Sequence, residues 1–130
     1  MRKSLFVAAA VLFAGAAHAS EQSRLLTGKQ LHRAVSGKTI YIQTPVGAEV
    51  PIRYRPNGTM VGRSSAELAA LAGEEVKSDR GRWWVRRAQL CQKWNRWSEG
   101  RPYCYKLRVS GSSVYWTRND GRSGTARLED

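Results

Sequence analysis

The chain has 130 residues, with 22 Lys or Arg against 10 Asp or Glu, a formal net charge of +12 and 42% hydrophobic residues. About 110 residues beyond an N-terminal leader suffice for one core but not for two, and no internal repeat or low-complexity linker divides them. The cationic excess favours acidic partners and speeds their capture, and is silent about fold.

The elements begin with export. Met1-Arg2-Lys3 is a short cationic start, Leu5 to Ala17 is an apolar run, and Ala17-His18-Ala19 fits the small-x-small cleavage pattern, so residues 1–19 read as a secretory signal peptide. The run is shorter than the roughly 20 residues a spanning helix needs. No cysteine stands directly after the cleavage site, where Ser20 lies, so a lipid anchor is not indicated, and the mature chain is expected to be a single β-rich domain over residues 20–130 with no transmembrane segment. Both phenylalanines leave with the leader, so every remaining aromatic is Trp or Tyr. From Ser20 to Asp79 there are 8 basic and 6 acidic residues, and from Arg80 to Asp130 there are 12 and 4.

Thr27 can cap a short helix running to about Val35, with Leu31 and Val35 on one face and Gly37 as its stop. Lys38 to Thr44 then alternates as a strand. Pro51 to Arg55, the turn Pro56-Asn57-Gly58 and Thr59 to Gly62 form a hairpin, for which Asn-Gly is a strong signal. Ser64 to Glu75 is a second helical candidate limited by Gly73. Five more strands follow: Gly81 to Arg86, Gln89 to Trp94, Tyr103 to Val109, Ser113 to Thr117 and Ser123 to Leu128. The predicted fold is mainly β with one or two short helices, a small antiparallel meander closing toward a barrel.

Cys91 and Cys104 are the only cysteines, and an exported chain meets an oxidising compartment, so a disulfide is expected. Their spacing is not C-x-x-C, which points to a structural staple rather than redox work.

Strand parity assigns faces. Trp83 and Val85 share one side of their strand, and Arg82, Trp84 and Arg86 the other. A cross-strand Cys91–Cys104 bridge puts Lys93, Lys106 and Arg108 on one face, around a hairpin tip carrying Arg96, Trp97 and Arg101. A row of like charges repels itself unless anions or water cover it. Arg82, Trp84, Arg86, Lys93, Arg96, Trp97, Arg101, Lys106 and Arg108 are therefore the candidate ligand-binding residues. The plainer reading is a solubilising face, because Arg over Trp contributes only about 0.5–1 kcal/mol and long basic stems cover apolar surface without binding anything. Trp83 and Trp94 are expected in the core, and Trp84 and Trp97 at the surface.

Catalytic signatures are few. His32 is the only histidine after the leader, no Ser-His-Asp pattern stands out, and there is no H-E-x-x-H, Cys/His cluster or acidic calcium loop, so no cofactor, metal or catalytic residue is indicated. Glu74-Glu75 and Asp79 read as a solvated loop. Paired carboxylates need no motif and are the hydrolytic chemistry left open.

Leu26-Thr27-Gly28, Gly37-Lys38-Thr39, Tyr54 before Asn57-Gly58-Thr59-Met60, Gly81-x-Trp83-Trp84-Val85, Leu90-Cys91-x-x-Trp94 and Cys104-Tyr105 form a pattern that resembles a family of small exported proteins of unknown function common in alphaproteobacteria. The resemblance implies a periplasmic home and supports the disulfide and the β-rich fold. Arg86-Arg87-Ala88 departs from the Gly or Asp turn expected between the Trp-Trp and Leu-Cys strands.

The residues thus point to a non-enzymatic periplasmic binding module whose basic, Trp-bearing face meets an anionic envelope glycan or lipopolysaccharide, or an acidic periplasmic protein. Nucleic acid would use the same Arg and Trp pairing, but the compartment argues against it. The alternative is an inhibitor or accessory chaperone docking on one protein through the loop between the cysteines, where Trp and Arg supply hot spots. A barrel carrying an apolar ligand would require small residues rather than Trp94 and Tyr105 pointing inward. Oligomeric state is open.

Overall fold

Period-2 alternation along eight strands decides the architecture. The computed structural model describes residues 24–130, and the leader read from the sequence lies outside them. In chain order the elements are β1 (Arg24–Leu25), α1 (Gly28–Val35), β2 (Thr39–Gln43), β3 (Glu49–Tyr54), β4 (Thr59–Arg63), α2 (Ala66–Leu71), β5 (Ser78–Arg86), β6 (Gln89–Trp94), a tight turn Trp97–Gly100, β7 (Tyr103–Ser110), β8 (Ser113–Arg118) and β9 (Ser123–Glu129). Strands β2 to β9 pair antiparallel with their sequence neighbours, and β9 returns to β2 through Ile40 opposite Leu128. The result is a closed eight-stranded antiparallel barrel, in which no barrel strand is left at an open edge.

All eight predicted barrel strands are present, whereas β1 has no counterpart among them. Two residues carry too little alternation to announce a strand. Strand β6 pairs with β7 only over Tyr103–Tyr105, and β1 takes up the vacated edge farther along, with Arg24 opposite Val109 and Leu25 opposite Arg108.

Helix α1 follows directly and packs on β5 and β6. Its Leu31 and Val35 are buried, and Gly28 N–H donates to the Arg87 carbonyl in the β5–β6 turn. Thr27 holds the cap position in extended backbone, yet its hydroxyl makes no capping bond. Gly37 lies just past the helix end at φ 77°, where a side chain would be strained, and its N–H donates to the Tyr54 carbonyl. Helix α2 is shorter than the sequence suggests, capped by Ser65 Oγ accepting from Leu68 N–H at 3.0 Å. The Arg86-Arg87-Ala88 departure resolves as a two-residue turn with Arg87 in the left-handed region at φ 55°.

The disulfide joins residues directly opposite each other on β6 and β7, with Cα atoms 4.0 Å apart. Inside, Trp83 and Trp94 are buried as expected, and Trp94, Tyr105 and Trp116 all line the interior. Tyr54 O–H donates to Gln92 Oε1 at 2.7 Å, and burial holds the Tyr54 phenol far above its ordinary value. Room for the indoles comes from glycines. A Cβ on Gly62 would lie 2.3 Å from the Trp97 ring, and one on Gly124 would lie 2.5 Å from Trp116.

Gly81 is tighter still in kind, because a Cβ there would sit 2.3 Å from the backbone oxygen of Lys93 on the neighbouring strand. Gly81→Ala is therefore expected to destabilise the barrel by about 1–3 kcal/mol, read as a lower midpoint in urea unfolding. An unchanged midpoint would contradict the close approach of β5 and β6.

Candidate functional site

The outer surface of β5, β6 and β7 is built by register. Arg82 stands opposite Lys93, Trp84 opposite Cys91, and Cys91 opposite Cys104, so the indole and the disulfide lie in one row across three strands. Arg86 faces Gln89 in the next row, and Leu90 opposite Tyr105 brings Lys106 beside that row. Arg108 lies one step farther along, opposite Tyr115 of β8. Neighbouring strands are about 4.8 Å apart and successive outward residues about 6.7 Å apart along a strand, so these side chains form a grid. Trp84 is 40% exposed within it and Tyr115 54%.

Most of the acids among the described residues are committed elsewhere. Ion pairs join Lys38 to Asp130, Arg101 to Glu99, Arg118 to Asp120, and Arg127 to both Glu49 and Glu129. Among the described residues no ion pair involves Arg82, Arg86, Lys93, Lys106 or Arg108. Arg80 and Arg63 extend the cationic surface, since Arg80 lies opposite Val61 and Arg63 opposite Ser78. Parity alone could have placed Tyr115 and Arg80 outward, but their position beside the candidate residues depends on the β4–β5 and β7–β8 registers.

The hairpin tip is a different place. Trp97, expected at the surface, is buried at 8% exposure. Its ring lies 4.8 Å from that of Trp94, and its indole N–H donates to the Val76 carbonyl at 2.8 Å. The reason is Asp79, which the sequence places in a solvated loop and the structure buries. Asp79 is 8% exposed, and its carboxylate accepts from the N–H groups of Arg80, Arg96 and Trp97 at 2.7–2.8 Å. Glu74 accepts from Ser98 N–H at 2.9 Å. Together they draw the loop over the barrel end and hold Ser98, Glu99 and Gly100 in three successive left-handed conformations. For a non-glycine residue that conformation costs about 1–2 kcal/mol, so the carboxylates and the buried indole must offset it.

Arg96 and Arg101 are exposed and line a polar groove at this end with Arg118, Arg122, Glu74, Glu75 and Glu99, in a volume of about 590 Å³. They are not part of the flat grid. Lys93 connects the two regions, because its ammonium reaches beside Gly100. Arg118 lies 4.0 Å above the Tyr103 ring and holds the Asp120 carboxyl down at about 2.

Among the described residues no group of three His, Cys, Asp or Glu side chains is placed to hold a metal ion, and no helix is long and apolar enough to cross a membrane. Comparison with family models, curated proteins and solved structures returned no match.

Two outcomes follow from the loop and its neighbour. Asp79→Ala leaves three N–H donors without their acceptor and is expected to cost on the order of 3 kcal/mol, with Trp97 fluorescence shifted toward that of a wetted indole. For Asp120, the folded value lies below the ordinary 3.8, so its stabilising contribution is present above that value and disappears as pH falls through about 2. A carboxyl carbon titration should show this low midpoint, and Arg118→Ala should return it toward 3.8.

Proposed function

We propose that the protein is a non-enzymatic binding module of the periplasm that holds an anionic envelope component on the outer face of β5, β6 and β7. Membership of the exported alphaproteobacterial family it resembles belongs to the same reading. The carrying observation is the grid itself: five cations and an exposed indole side by side, without a carboxylate partner among the described residues, on strands joined by a disulfide. Folding gains nothing from like charges placed opposite each other, as Arg82 and Lys93 are. A bound anion would relieve that repulsion.

Magnitude favours a polyanion. One exposed ion pair contributes only about 0.2–1 kcal/mol, so a lone anion would be held weakly. A chain or cluster of phosphates, sulfates or uronates can engage several cations at once, and each further contact is then intramolecular. Trp84 adds a flat face on which a sugar ring can lie. Phosphorylated lipopolysaccharide and acidic glycans meet these requirements in the proposed compartment. Docking on one protein through the loop between the cysteines is less well supported, because burial of Trp97 removes the loop's aromatic anchor.

The test is a titration of the oxidised protein, followed by Trp fluorescence, with lipopolysaccharide, a sulfated glycan and single-stranded DNA at low and moderate salt. The envelope polyanions are expected to bind with a steep salt dependence. Arg82→Ala, Arg86→Ala and Lys106→Ala combined should weaken binding about tenfold or more and reduce the salt slope by roughly three. Absence of any response at low salt would reject the proposal, and preference for DNA would replace the ligand class.

A further inference from the structure

The barrel interior is not completely filled. A cavity of about 230 Å³ remains among the side chains of Ile42, Ile52, Leu90, Gln92, Tyr105 and Trp116, with Val50, Trp94 and Trp97 toward one end. Those last three side chains are also walls of a second space of about 570 Å³, a groove between the β2–β3 turn and α2. Val46 and Leu71 stand exposed on its sides at 63% and 75%. Val50, Trp94 and Trp97 therefore stand between the space inside the barrel and an apolar groove at the surface, and Trp97 directly precedes the three left-handed residues.

The chemistry of the lining restricts the occupant. No charged side chain lines the cavity, so a buried ionised group would have no counter-charge there. Of its polar side chains, Tyr54 and Gln92 bond to each other, and Tyr105 bonds to Arg118. The Trp116 indole N–H is the buried side-chain donor that lacks an acceptor among the described residues. Buried water needs two to four polar partners, and this lining offers water little. The space is larger than the roughly 150 Å³ cavity known to stay dry and accept benzene, and at about 30 Å³ per water-sized group it holds about eight such groups. The inward tryptophans do not close the interior, because Gly62 and Gly124 let the Trp97 and Trp116 rings lie against the barrel wall.

We infer that the barrel interior is a second binding site, for one uncharged alkyl chain of about eight carbons. The chain enters from the α2 groove past Trp97, and its polar end stays at the mouth. This site is independent of the cationic outer face.

The probe is n-octanol, which carries no charge and so does not report on the cation grid. Added to the oxidised full-length mature protein, it is expected to give a saturable one-to-one change in Trp fluorescence, insensitive to salt, and to shift the methyl resonances of Ile42 and Ile52. Val50→Phe and Ile42→Phe, which fill the cavity from two strands, should each weaken binding by about tenfold or more, near 1.4 kcal/mol. The combined Arg82, Arg86 and Lys106 substitution should leave it unchanged. Absence of saturation up to the solubility of n-octanol, or equal binding by both filled variants, would overturn the inference. If a filled variant fails a thermal-melting check, the wild-type methyl shifts decide, and unshifted Ile42 and Ile52 methyls overturn it.

Discussion

Indole rings set against glycines are the contact on which the rest of this structure depends. A barrel of eight strands has an interior just wide enough for side chains to fill, and this chain turns Trp83, Trp94 and Trp116 into it and closes one end with Trp97. Such large side chains fit only because Gly62 and Gly124 offer no Cβ where the rings of Trp97 and Trp116 lie. The arrangement leaves apolar space between rings rather than a solid core. It also fixes which parity of each strand is interior, and hence which residues must face water.

That second consequence explains the cationic face. Once Trp83, Leu90 and Leu107 point inward, Arg82, Arg86, Lys93, Lys106 and Arg108 have no choice but the outside. Parity alone does not exclude acids from the neighbouring positions. Glu49, Asp120, Glu129 and Asp130 instead pair with Lys38, Arg118 and Arg127 elsewhere on the barrel, and Asp79 turns inward to bind backbone. One surface consequently carries cations without partners among the described residues, while the loop at the mouth is ordered by buried carboxylate bonds.

Parity is legible in the sequence. The alternation of Arg82, Trp83, Trp84 and Val85 assigns faces without knowledge of neighbours, and the facing positions of Cys91 and Cys104 agree with it. The loop was not legible in the same way. Trp97 follows Asn95 and Arg96 in a polar, turn-prone stretch, and only the distant Asp79, Glu74 and Val76 draw it inward. Asp79 is hidden for the same reason: a carboxylate beside Arg80 reads as solvated, and only the distant backbone donors of Arg96 and Trp97 make it an interior acceptor. The roles of Gly62 and Gly124 were equally hidden, since a glycine in a strand does not announce which ring will lie on it. Local periodicity reaches along one strand, whereas these contacts connect residues far apart in sequence.

The disulfide occupies a telling position on the circumference. Strands β6 and β7 share a register of only three residues and are joined by the long loop that carries Trp97, while β1 takes over the same edge of β7 farther along. The Cys91–Cys104 bond is thus a rivet on a short seam. In a reducing environment that seam is where the cylinder could part, turning a closed wall into a curved sheet with two free margins. Open margins invite pairing with other chains, so the oxidised bond guards against self-association as well as against unfolding.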